Sequence, residues 1–142
     1  MYLLDTNILS ELRKIESHRA DANVRNWAAQ ENVEHHYISA MTMFEIEMGI
    51  LRLARKDPEQ ATLLRDWQQN YILPEFEDRT LAMDTDVALQ AAALHVPDPK
   101  PERDAIIAAT ALVHDMVLVT RNVADFVATG VRLLNPWDAA ES

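Results

Sequence analysis

The first apolar run of the chain, Tyr2-Leu3-Leu4, stops at the polar triplet Asp5-Thr6-Asn7. A short run of this kind predicts a buried strand ending where polar residues can start a helix. Helices are expected from Ile8 to Lys14 and from Ala20 to Gln30, the second with Val24, Trp27 and Ala28 on one face. Tyr37-Ile38-Ser39 predicts the next strand, and Thr42 is placed to cap a helix from Met43 to about Arg55. Met43, Phe44, Met48 and Leu51 have helical spacing there. Ile46, Ile50 and Leu53 widen the apolar surface beyond one stripe, enough for the helix to touch more than its own core. Pro58 opens a helix expected to run to about Tyr71 and to end at Pro74. Thr80 to Met83 reads as a strand, with Asp84 capping the helix after it.

Prolines at 97, 99 and 101 make a loop, followed by the alanine-rich helix Asp104 to Leu112, whose small side chains permit close packing on a sheet. Met116 to Val119 is strongly β-prone and ends in Thr120-Arg121-Asn122. A last strand, Val131 to Leu134, leads into Asn135-Pro136-Trp137. Strands alternating with helices predict an α/β fold with a mainly parallel sheet covered on both faces. With 142 residues, no internal repeat and no linker, residues 1–142 are expected to form one domain.

Composition narrows the chemistry. The chain has no cysteine, which excludes disulfide scaffolds, thiolate zinc sites, iron–sulfur clusters and cysteine nucleophiles. Any metal must be held by oxygen or imidazole. Thirteen basic against 23 acidic residues leave a net charge of −10. This argues against a general nucleic-acid binder, whose affinity comes largely from Lys and Arg releasing counterions. It leaves room for a nuclease whose carboxylates are masked by bound cations, and it favours a basic protein partner. No apolar run has membrane-span length, and Asp5, Glu11, Arg13 and Lys14 fall where a secretory signal would be apolar. A cytoplasmic protein without a membrane segment is expected.

Several acids fall at predicted strand ends, where parallel sheets bind their ligands. Asp5 terminates the first strand, Glu45 lies about one turn into the helix after Tyr37-Ile38-Ser39, Asp104 opens the alanine-rich helix, and Asp125 follows the Met116 to Val119 strand. Carboxylates packed together repel, so the group must raise its pKa values or bind a cation. Oxygen-only ligands favour Mg²⁺ or Mn²⁺, which points to metal-assisted phosphodiester hydrolysis. The structural reading stands beside it: Asp5 and Asp104 are also good N-cap residues, and Glu45 suits the first turn of any helix.

Taken in order, Tyr2-Leu3-Leu4-Asp5-Thr6-Asn7-Ile8-Leu9-Ser10-Glu11, Ile38-Ser39-Ala40-Met41-Thr42-Met43-Phe44-Glu45-Ile46-Glu47-Met48-Gly49, Asp104-Ala105-Ile106-Ile107-Ala108-Ala109-Thr110-Ala111, Val119-Thr120-Arg121-Asn122-Val123-Ala124-Asp125-Phe126 and Asn135-Pro136-Trp137 resemble the PIN-domain family. The likeness is to its VapC and FitB-like toxin branch and covers nearly the whole chain. It implies a PIN-like α/β/α sandwich and a Mg²⁺- or Mn²⁺-dependent endoribonuclease, the toxin of a toxin–antitoxin module. Catalytic acids would be Asp5, Glu45, Asp104 and Asp125, with Asp5 and Asp104 as metal ligands. Relatives place the fourth acid either directly after the Thr-Arg pair, where this chain has Asn122, or three residues later, at Asp125. Thr6, Thr120, Asn122 and Arg121 would support the acids or the substrate. A homodimer and a cognate antitoxin that inserts a segment into the acidic groove are further implications. Two other readings stay open: a PIN nuclease of RNA maturation or DNA processing, and a catalytically silent module that binds a basic partner.

Other residues carry less. Glu47 should project from a different helix face than Glu45 and is expected in solvent. Adjacent His35 and His36 point to opposite faces on entering a strand, so structural or surface roles are expected. Arg103 and Arg121 adjoin site segments and are the better candidates for steering phosphates. Trp27, Trp67 and Trp137 are expected to pack rather than to stack on bases.

Overall fold

The computed structural model describes residues 1–138, so the last four positions of the expected 1–142 domain lie outside the described residues. Five short strands, β1 (Tyr2–Leu4), β2 (His36–Ser39), β3 (Thr80–Leu81), β4 (Val117–Val119) and β5 (Leu133–Leu134), form one sheet in the order β3-β2-β1-β4-β5. Every pairing is parallel, with Leu3 opposite both Tyr37 and Leu118. Alternation along the strands divides the core. Leu4, Ile38 and Val119 face one layer, whereas Leu3 and Leu118 face the other.

The first layer is built by α1 (Thr6–Leu12), α2 (Ala22–Gln30), α3 (Ala40–Ala54), α4 (Pro58–Trp67) and α5 (Leu73–Glu75), which contribute Ile8, Leu9, Trp27, Ile46, Ile50 and Trp67. On the other side, α7 (Glu102–Val113) lays Ile107, Ala108 and Ala111 on the sheet beside Phe126 of the short α8 (Val123–Phe126). Alanine brings the α7 backbone close to the strands. Its Ala109 also takes Val87 and Ala91 of α6 (Thr85–Leu94). The result is the expected α/β/α sandwich. No helix among the described residues is long and apolar enough to cross a membrane.

Four local expectations are corrected. Ser39, not Thr42, caps α3: its Oγ accepts the Thr42 N–H at 3.0 Å, so the helix begins at Ala40 and Glu45 stands deeper in it than expected. On α3 the core side is Thr42, Ile46 and Ile50, whereas Phe44 and Leu51 are each 55% exposed. The stripe that widened the apolar surface is the buried one, because the sheet and α4 approach from that side. Pro74 does not end its helix. A π-helical turn, Gln68–Ile72, precedes it and the helical path continues through α5. The wider turn accommodates the ring and missing N–H of Pro74, which would otherwise break the i to i−4 ladder. Helix α1 also begins two residues earlier than expected, at Thr6.

Candidate active site

From β1 the chain moves outward through β2 to β3, then returns to place β4 on the other side of β1. The strand order therefore reverses between β1 and β4, and a crevice opens beyond their carboxyl ends. Asp5 stands at this point. Its N–H donates to Val119 O at 3.0 Å, which ties the first residue after β1 to the end of β4.

Asp5 is 6% exposed and is held by several donors. Oδ1 accepts the Thr6 N–H at 2.8 Å, and Oδ2 accepts the Thr120 hydroxyl at 2.9 Å and the Asn7 amide at 3.3 Å. Three donors do not saturate a carboxylate, which offers about four lone-pair sites. Burial pushes its pKa up, bonds from Thr120, Thr6 and Asn7 pull it back, and the charge of Asp125 pushes it up again, leaving it raised. Asp5 is thus both the α1 cap and the centre of the acid group.

Thr6 carries the network to α3, its hydroxyl donating to Glu45 Oε1 at 3.0 Å. Glu45 Oε2 faces the Arg103 guanidinium at 3.5 Å. Burial raises the Glu45 pKa, with the Thr6 bond and Arg103 opposing and the charges of Asp5 and Asp104 adding to the rise. Asp104 sits in the first turn of α7 but is not its cap, which is Pro101. The structural reading of Asp104 as a cap is therefore removed. Burial and the neighbouring charges of Asp5 and Asp125 push its carboxyl up, and only Arg103 acts against them.

Asp125 lies on the exposed first turn of α8, its N–H bonded to Asn122 O at 3.1 Å. The four acids thus share one electrostatic neighbourhood: Asp5 feels Asp125, Asp104 feels Asp5 and Asp125, and Glu45 feels Asp5 and Asp104. Thr6 and Thr120 touch the carboxylates directly. Asn122 joins through its N–H, which donates to Thr120 Oγ1 at 3.0 Å. The Arg121 side chain turns aside, over the Trp137 ring at 5.1 Å.

One participant is absent from the sequence-based candidates. Asn7 donates to Asp5 Oδ2 and to Thr120 Oγ1, both at 3.3 Å, and accepts the Arg121 N–H at 3.2 Å. It bridges the ends of β1 and β4. The available signal was an amide two residues after Asp5, at the start of a helix, where side chains commonly bond nearby backbone.

The remaining candidates lie elsewhere. Glu47 is held by Arg65 and Gln68 of the α4 region through both carboxylate oxygens, which keeps its pKa well below the usual carboxylate range. It is exposed enough to meet solvent, yet it is ion-paired. His36 is buried against Trp27, stacked at 5.2 Å, with Tyr2 edge-on.

A family model of the PIN domain matches residues 2–130. The chain belongs to the PIN-domain family. Within that family, it is 33% identical to VapC ribonuclease Y4jK of Sinorhizobium fredii, over 99% of this chain and 100% of that protein. It is also 33% identical to Toxin FitB of Neisseria gonorrhoeae, over 96% of this chain and 99% of that one. The solved structure of FitAcB from Neisseria gonorrhoeae has a TM-score of 0.85 to this PIN domain at 31% identity, covering 96% of this chain and 99% of the other.

The oxygen donors suit a hard divalent cation. Among the described residues no three His, Asp or Glu side chains stand as a preformed metal-holding group. Mg²⁺ does not require one, because one or two carboxylates with water and substrate oxygens complete its shell. At Asp5, Glu45 and Asp104 burial first, and then the charge of neighbouring acids, raises the carboxyl pKa, so a cation among them would be stabilising.

Proposed function

We propose that this PIN-domain chain is the ribonuclease toxin of a toxin–antitoxin module, cutting RNA phosphodiester bonds with Mg²⁺ or Mn²⁺ held by Asp5 and Asp104 and assisted by Glu45 and Asp125. The observation that carries the reading is the group at the β1/β4 reversal in which hydrogen bonds through Thr6 and Thr120 hold Asp5 and Glu45, with Asp104 in their electrostatic field. Likeness over nearly full length to a VapC ribonuclease and to Toxin FitB supports it. The proposed RNA substrate accords with a cytoplasmic protein.

A bound divalent cation would supply charge compensation, polarisation of the phosphoryl oxygen and activation of water. The chain's own part is orientation. Thr120, Thr6 and Asn7 fix the Asp5 carboxylate while leaving lone-pair capacity toward the crevice. Thr6 holds Glu45 through one oxygen, so both acids move with the start of α1. Asp104 is half-buried, and its carboxyl feels desolvation and the charges of Asp5 and Asp125 against Arg103 alone, so it is the acid most dependent on a cation.

The partner expected from the acidity is a basic segment of an antitoxin. Structures similar to this one include a toxin–antitoxin complex from Klebsiella pneumoniae, at 27% identity with a TM-score of 0.67. A homodimer accords with the exposed Phe44 and Leu51 on α3.

The test is cleavage of a mixed tRNA and structured-RNA panel by antitoxin-free protein, with Mg²⁺, Mn²⁺ or chelator, beside Asp104→Asn. Discrete products that need the cation and vanish in the variant are expected. Equal cleavage by the folded variant would overturn the assignment.

A further inference from the structure

Most paired cations of this acidic chain are committed to structure. Lys100 Nζ donates to Leu94 O at 2.8 Å, and Arg79 donates to the carbonyls of Val33, His36 and Glu75. Arg65 grips Glu47, Arg132 pairs with Asp115, and Lys14 pairs with Glu11. Arg121 rests on Trp137, whose carbonyl is in turn held by Asn23 at 2.7 Å.

Arg103 differs. Its ion pair with Glu45, at 3.5 Å, is the one salt bridge among the described residues that includes any of the four site acids. The distance exceeds an ordinary charge-assisted hydrogen bond, and the Arg103 side chain is 48% exposed. An exposed pair of this geometry adds little to stability. A guanidinium has five donors, and this contact leaves most of them for another partner. Arg103 is also next to Asp104 in the first turn of α7, within the electrostatic reach of two acids at once.

We propose that Arg103 is a phosphate-binding residue held in reserve on Glu45: it compensates the crevice when no divalent cation is present and is released to the RNA backbone when one arrives. The inference rests on the ribonuclease reading and adds to it a specific substrate contact. Divalent charge at the acids removes the attraction that keeps Arg103 on Glu45. The freed fork then matches a phosphate oxygen pair, with RNA replacing a carboxylate by a similar anion. Two consequences of opposite sign follow. Without Arg103 the acids should bind a divalent cation more tightly, and RNA less tightly.

The experiment measures both in the full chain. Mn²⁺ is titrated calorimetrically into the free protein. A labelled 12-nucleotide RNA of mixed sequence is followed in Mn²⁺ by stopped-flow anisotropy, in the association phase ahead of cleavage. Arg103→Ala is compared with Arg103→Lys and with Arg132→Ala, which removes the same charge at the exposed Asp115 pair on the opposite end of the sheet. For Arg103→Ala we expect Mn²⁺ affinity to rise about three-fold. RNA affinity should fall about ten-fold, with the salt slope reduced by about 0.7, the value of one lost phosphate contact to a single strand. Arg103→Lys should restore the salt slope but only part of the affinity. Arg132→Ala should change neither quantity. Unchanged or weaker Mn²⁺ binding in Arg103→Ala, or tighter Mn²⁺ with unchanged RNA binding, overturns the proposal. The separate cleavage panel decides the ribonuclease reading: wild-type cleavage with no opposed binding shifts in Arg103→Ala defeats this inference alone, and opposed shifts without any cleavage defeat the activity but keep the RNA contact.

Discussion

The two ends of β1 bury titratable groups and treat them in opposite ways. At the carboxyl end Asp5 accepts three donors, shares its field with other acids and keeps spare lone-pair capacity. At the amino end Tyr2 lies opposite His36 in the sheet, and His36 is stacked on Trp27 with no partner for its Nε2. Burial, aided by Arg79, pushes the His36 pKa down to about 4, so the ring is neutral at physiological pH. One end supports charge with oriented dipoles, and the other suppresses it by desolvation. The difference separates a place where a cation would be stabilising from a piece of core that happens to contain an imidazole.

The largest effect is expected at the acid end. Asp5→Asn should lower RNA cleavage by about a thousand-fold, the scale seen when a group acting on the reacting centre is lost. The variant should remain folded, because an amide keeps the size of the side chain. Single-turnover cleavage and a melting curve together check this, and activity near wild type would place the chemistry elsewhere.

Next is the amino end. The His36 pKa lies below its unfolded value of 6.5, so the unfolded chain takes the proton first. This contribution is complete above about pH 6.5 and is lost as pH falls toward 4, to a limit of about 3 kcal/mol. Urea unfolding across that window should show the loss, and His36→Phe, which removes the unpartnered nitrogen, should abolish it. A slope unchanged by His36→Phe would defeat the assignment.

The third expectation is smaller and opposite in sign. Asp5, Glu45 and Asp104 have raised pKa values, so the metal-free fold holds their protons more tightly than the unfolded chain does. In the His36→Phe background, stability should therefore rise as pH falls through the region just above the ordinary carboxylate range. Adding Mn²⁺ should reverse that slope, because protons and cation compete for the same oxygens. Melting temperatures at four pH values, with and without Mn²⁺, decide it, and a slope indifferent to Mn²⁺ would separate the acids from any cation site.

Asn7→Ala comes fourth, with a stability loss of about 1 kcal/mol from the bridge between β1 and β4. A kcat loss exceeding the KM change is expected, since Asn7 acts by positioning Asp5. Restoration by Asn7→Asp instead would show that charge, not the bridging amide, is what the position needs. Least of all, Glu47→Gln should leave cleavage unchanged, because Arg65 and Gln68 already occupy its carboxylate outside the crevice.

Much of this was legible in the chain. Asp5, Glu45 and Asp125 were candidates because each follows a β-prone run, and Asp104 because it opens the alanine-rich helix; the structure brings the four into one electrostatic neighbourhood. Other features were not readable locally. Ser39 and Thr42 are both competent caps, and the choice depends on where β2 stops pairing with β3. On α3 two apolar stripes compete, and only the position of the sheet buries Ile46 and Ile50 while leaving Phe44 exposed. Pro74 is a helix breaker by local rule, but the packing of Ile72 and Phe76 in the core sustains the helical path around it.

By itself the sequence determined the alternation of strands and helices, the exclusion of thiolate chemistry and which acids became candidates, because these depend on side-chain periodicity and functional groups. Only the tertiary structure decided which donors each acid receives, that Asp104 is free of a capping role, that Asn7 joins the site and that Arg103 leans on Glu45. Those are relations between residues distant along the chain. They are set by strand order and by how deeply each group is buried, neither of which is written in any local pattern.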